Sequence, residues 1–217
     1  MENGVVRGLA MKWIAVALSF GSLSVFGSDG SLPQADVGVY LTFKQPIPEG
    51  VLRGIQAEVQ GILSRFGFRL HWREMASAGA ETWADLAVVT FEGACDPSSE
   101  YPAFVPGVLG WTHITDGTIQ PYATIDCDRI GSQISTRLFA FPAGERSRLL
   151  ERAVARVVAH ELYHIFARST AHEDSGVGKA EFTASDLLSD QFSFYGGQAR
   201  ALRLTSAEDQ RQFAPRP

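Results

Sequence analysis

His160-Glu161-Leu162-Tyr163-His164 sets two imidazoles four residues apart, with a carboxylate next to the first. On a helix, positions four apart share a face, roughly 5 to 6 Å between Cβ atoms, so both rings can reach one ion. Glu161 lies about 100° further round, where its carboxylate meets water at that ion rather than the ion itself. Two imidazoles are half of a tetrahedral zinc site, and this set of residue types is the one zinc hydrolases use. A catalytic zinc takes three protein ligands and leaves one position open. The only histidine after the pair is His172, in the Ser-, Asp- and Gly-containing stretch from Ser169 to Gly178, where the chain leaves the helix and turns. His172 is the candidate third ligand, Zn2+ the expected cofactor and Glu161 the candidate general base. Zinc lowers the pKa of water to about 7, so a carboxylate there can take a proton and hand it to a leaving amine.

The series His-Glu-x-x-His, seven residues, His172, three residues, Gly176-Val177 resembles the metzincin group of zinc metallopeptidases, and more closely a secreted bacterial branch with a lengthened spacer. The resemblance covers roughly residues 150 to 190. It implies a zincin-like α+β fold, zinc on His160, His164 and His172, and Glu161 as general base. Two positions depart from the group. Its spacer has five residues and a glycine that bends the chain, whereas here there are seven, with Ala167 near that place. Its turn methionine is replaced by Gly178, which removes a packing platform and not a ligand. A second arrangement stays open, because Asp186 and Asp190 follow on a stretch, Thr183 to Phe194, that reads as helical. A carboxylate on the helix after His-Glu-x-x-His resembles the thermolysin-like arrangement. The other role for both aspartates is charge at a helix N-terminus or on the surface.

The histidine pair needs a rigid carrier. Neither Pro nor Gly interrupts Glu145 to His172, and Leu150, Val154, Val157, Val158, Leu162, Ile165 and Phe166 recur at helical spacing, so one long helix is predicted over Glu145 to Arg168. Upstream, Val37 to Phe43 alternates as a strand, Val51 to Phe66 has one apolar helical face, and Phe68 to Trp72 and Leu86 to Phe91 are further strands. This β-α-β-β order predicts an α+β domain with a mixed twisted sheet, a backing helix, the long active-site helix and a C-terminal helix. Strands are also predicted at Val108 to Ile114 and Gln120 to Ile125. By order along the chain, Gln120 to Ile125 is the candidate edge strand that would pair with an extended peptide. His71, alternating within its strand, is expected to be structural. His113 and Tyr195 are candidates for stabilising charge opposite the ion; Tyr163 points away from the histidine face.

The remaining composition narrows the setting. Arg7 and Lys12 precede a fourteen-residue apolar run, Trp13 to Phe26, too short to span a bilayer comfortably, where about 20 residues are needed, and suited to a secretory signal over residues 1–28, with a single N-terminal anchor as the alternative. The rest, residues 29–217, has the length of a single catalytic domain. The product is expected to be secreted or periplasmic, monomeric, and without stable membrane association once the signal is removed. A net charge of −5 with no basic stripe excludes nucleic acid as the favoured partner. A peptide or protein substrate is expected. Cys95 and Cys127 could pair after export, stabilising by roughly 3 to 4 kcal/mol. Residues 206–217 read as a frayed tail. A zinc metallopeptidase is thus the leading reading. The same residues would also serve a catalytically silent metal- or peptide-binding module, or a zinc amidase acting on a non-protein amide.

Overall fold

The computed structural model describes residue 1, residues 34–102 and residues 104–213. The expected signal segment lies outside the described residues. Period-two alternation forms β1 (Ala35–Phe43), whose Ala35, Val37, Val39 and Leu41 share one buried face. Helix α1 (Glu49–Leu63) buries Val51, Ile55, Val59 and Ile62 along one stripe. Strands β2 (Phe68–Glu74), β3 (Asp85–Glu92), β4 (Gly110–Thr115) and β5 (Thr118–Asp126) complete a five-stranded sheet in the order β2-β1-β3-β5-β4. The first four of these run parallel to one another and β4 runs antiparallel to β5. Helices α2 (Cys127–Leu138), α3 (Ala143–Ala167), α4 (Ala184–Leu188) and α5 (Gly196–Phe213) follow. The fold is α+β, with α1 packed on α3 and α3 packed on β5 and β4.

Three expectations are corrected. The edge strand beside α3 is β4, not Gln120 to Ile125, which lies in β5 between β3 and β4. Asp116 and Gly117, at φ 50° and 75°, make the tight hairpin that folds β4 back along β5 and leaves it outermost. The helix expected over Thr183 to Phe194 stops at Leu188. The carbonyls of Asp186 and Ser189 turn to the Arg156 guanidinium instead, and the chain runs on without regular structure, burying Phe192 and Phe194. Residues 206–213 are not frayed but form the end of α5, with Ser206 donating to the Phe66 carbonyl at 2.8 Å and Asp209 buried.

Arg156, 1% exposed, also stacks over Phe192 at 4.3 Å and lies 4.0 Å from Glu58. Burial pushes its pKa down to about 10, so it stays charged and needs those partners. It stands one turn before His160 on α3 and ties the 186–192 segment to the helix carrying the histidines. His71 is structural as expected, 2.6 Å from Asp36 and stacked on Trp83. Cys95 and Cys127 form a disulfide with Cα atoms 5.1 Å apart, inside the usual span. Among the described residues no helix is long and apolar enough to cross a membrane.

Candidate metal centre

Helix α3 carries His160, Glu161 and His164 in its last two turns, all buried. Arg168, at φ 48°, takes the left-handed conformation that ends the helix, the task a glycine usually performs. The chain then folds back so that ring nitrogens of His160, His164 and His172 all lie within 4.8 Å of one another. His172 is exposed and its ring stacks on that of His160, centroids 5.3 Å apart.

Hydrogen bonding fixes the tautomers. His160 Nδ1 is 2.7 Å from the Val177 carbonyl and His164 Nδ1 is 2.6 Å from the Ser169 carbonyl. A carbonyl only accepts, so each Nδ1 carries a proton and each neutral ring presents a bare Nε2. The two Nε2 atoms face each other at 3.0 Å. Burial, then the neighbouring His164, pushes the His160 pKa down to about 3; burial likewise lowers that of His164, so protonation does not relieve the opposed lone pairs. A cation between them does. Nitrogens about 2.0 to 2.1 Å from one tetrahedral centre stand roughly 3.3 Å apart, close to the spacing seen, leaving the exposed His172 to close the remaining distance. Neutral imidazoles oriented by backbone carbonyls are the form in which histidine binds zinc.

Glu161 Oε2 accepts a hydrogen bond from the Thr112 hydroxyl at 2.8 Å. Burial raises the Glu161 pKa to about 7 against the lowering effect of Thr112. A divalent cation alongside would draw it back down. Gly110 lets β4 lie this close to α3, since a Cβ there would meet Val157 at 2.8 Å and Glu161 Oε1 at 3.2 Å. Thr112 is thus part of the site, joined across 49 residues of sequence that no spacing rule spans. Val177 and Ser169 enter through their backbone oxygens, which no side-chain pattern records.

The other sequence candidates stand elsewhere. Asp186 is the N3 residue of a capping box on α4, its Oδ2 taking hydrogen bonds from Thr183 and from Lys179 at 2.7 Å. Burial opposes its ionisation, but those bonds prevail and hold its carboxyl below the ordinary range. Asp190 pairs with Arg152 at 3.0 Å. His113 sits at an irregularity in the β4–β5 register, 3.2 Å from Thr124 Oγ1, and the three-imidazole cluster does not include it. Tyr195 lines a separate hollow with Arg156 and Phe192. Tyr163 is buried, with its hydroxyl on Ser169.

The three histidines and Glu161 line one cavity of about 1150 Å³. One wall, residues 104–114, exposes Phe104, Val108, Trp111 and Ile114. The lining also carries Glu173, Asp174 and Glu181, while Lys179 is engaged by Asp186.

No family model and no curated protein matches the chain. Solved structures similar to it include the following two. The crystal structure of archaemetzincin from Methanopyrus kandleri aligns at 13% identity over 82% of this chain and 97% of that one, with a TM-score of 0.48. That of a zinc-dependent peptidase from Methanocorpusculum labreanum (strain Z) aligns at 11% identity over 76% of this chain and 100% of that one, with a TM-score of 0.49. Likenesses of this size carry no function to this chain.

Proposed function

We propose that this chain is an exported zinc peptidase, with His160, His164 and His172 as metal ligands and Glu161 as general base. The observation that carries the reading is the pair of bare Nε2 atoms facing each other at 3.0 Å, with a buried carboxylate beside them in the same cavity. A zinc ion held there would supply Lewis acidity toward a carbonyl and lower the pKa of water at its open position. Glu161 accepts a proton at Oε1 or Oε2 and returns it to the leaving nitrogen, and Thr112 holds the carboxylate in place for both transfers. Among the described residues strand β4 has an open edge beyond β5, and an extended substrate would pair with it through backbone hydrogen bonds. The apolar wall favours a large apolar side chain on that substrate, and the acidic lining residues a basic one. Export is supported by the Cys95–Cys127 disulfide, which belongs to oxidising compartments.

The test is metal content and cleavage measured together. The purified protein should hold about one zinc per chain and cleave casein or a pool of quenched peptides. Glu161→Ala should keep the metal and lose the cleavage. Zinc bound without cleavage of any peptide would sink the peptidase reading and leave a silent metal-binding module; turnover of non-protein amides alone would redirect it to an amidase.

A further inference from the structure

The loop that brings His172 back to α3 is held at its base by one side chain from α5. Gln198, 2% exposed, donates from Nε2 to the Ala171 carbonyl at 3.1 Å and to the Gly178 carbonyl at 3.3 Å. Ala171 is the residue before His172. Gly178 is the residue after Val177, whose carbonyl orients His160. One carboxamide therefore joins the segment bearing the third imidazole to the short 3-10 turn, Gly176–Gly178, that sets the tautomer of the first. The same two segments meet through the Glu173 N–H on the Gly178 carbonyl at 2.8 Å, and Glu173 in turn accepts from the Gly197 N–H at 3.1 Å.

Gly178 and Gln198 are a matched pair. A Cβ at Gly178 would overlap the Gln198 carboxamide, so any larger residue there expels the clamp. The cost of the arrangement is visible too: Gln198 Oε1 is buried without a hydrogen-bond partner among the described residues. A buried amide with an unsatisfied oxygen is expensive, and it is retained where its two N–H groups both reach the loop.

Resting on the three-histidine reading, we propose that Gln198 is a positioning residue for the metal centre, clamping the His172 loop from below, and that residue 178 is glycine to admit its carboxamide. Groups hydrogen-bonded directly to a ligating side chain typically govern about 10- to 100-fold in metal affinity; Gln198 acts one step further out, through the Ala171 and Gly178 carbonyls. Gln198→Met, similar in length with no donor, and Gln198→Ala should each weaken zinc binding by about 5- to 10-fold, the low end of the range for direct partners, in competition with a chromophoric chelator. Both should also change the visible absorption of the cobalt-substituted protein, while far-ultraviolet circular dichroism stays that of the wild type. His172→Ala is the reference. If it weakens zinc strongly while both Gln198 variants bind within twofold of wild type and keep its cobalt spectrum, the clamp is refuted and the metal site stands. If His172→Ala leaves zinc affinity unchanged, the ligand set and the clamp fall together. A readout needing no variant covers loss of folding: in the zinc-loaded wild type, the Gln198 side-chain amide protons should exchange slowly with solvent, and exchange as fast as an exposed glutamine's would overturn the proposal.

Discussion

Removing the Cys95–Cys127 cross-link should destabilise the domain and loosen the cleft wall at once. The bridge encloses a separation of 32 residues, running from the end of β3 through the apolar wall, β4 and β5 to the first residue of α2. In the chain-entropy relation that loop removes about 12 cal/mol/K from the unfolded ensemble, or about 3.7 kcal/mol at 25 °C. For a domain of this size each kcal/mol moves Tm by about 2 to 4 °C, so the loss should be about 7 to 15 °C. Both sulfurs are fully buried, so Cys95→Ala with Cys127→Ala also gives up some packing and falls at the upper end. Thermal and urea unfolding of the oxidised wild type, the reduced wild type and the double variant separate the two contributions. Because Thr112 lies inside the closed loop, cleavage should decline at temperatures well below the new Tm. A change under 1 kcal/mol in both reduced protein and double variant would refute the reasoning, since the 32-residue loop would then be constrained by something other than the bridge.

Thr112→Val removes the hydroxyl that lowers the Glu161 pKa. A hydrogen bond to a charged group contributes about 1.5 to 3 kcal/mol, so the acid limb of the kcat/KM–pH profile should move up by about 1 to 2 pH units, with the alkaline plateau lowered as the carboxylate loses its anchor; an unmoved limb would contradict the assigned base. Asp209 is buried, and burial, then the nearby Asp85 carboxylate, lifts its pKa to about 6 from an ordinary 3.8. The folded state thus holds that proton more tightly than the unfolded chain, and the stability it contributes is full below about pH 4 and lost as pH rises through about 6. Asp209→Asn should therefore be more stable than wild type at neutral pH, the gap narrowing toward acid; Tm curves that run parallel across this range would refute it.

What was legible in the sequence follows from where the physics is local. Helix α3 could be read because its buried stripe is written in Val, Leu, Ile and Phe, and the site histidines because four-residue spacing on a helix is itself a geometry. Helix α2 carries a weak apolar signal because Gly131, Ser132 and Ser135 occupy its buried face, Gly131 making room for the Tyr101 ring. A C-terminal helix was expected, but the bounds of α5 were not legible, because Gln198, Ser206 and Asp209 are among its buried residues, a helical period carried partly by polar side chains. The edge strand had a local signal in Asp116-Gly117, which outranks order along the chain. Thr112, the Val177 and Ser169 carbonyls and Gln198 had none, since each reaches the site through tertiary structure alone.

The central claim is tested most directly by crystals of the zinc-loaded protein measured at the zinc absorption edge. The account predicts one anomalous peak about 2.0 to 2.1 Å from Nε2 of His160, Nε2 of His164 and a ring nitrogen of His172, with Glu161 beside the open position and off the ion. A peak held by Asp186 in place of His172, or no peak at the paired histidines, would contradict it.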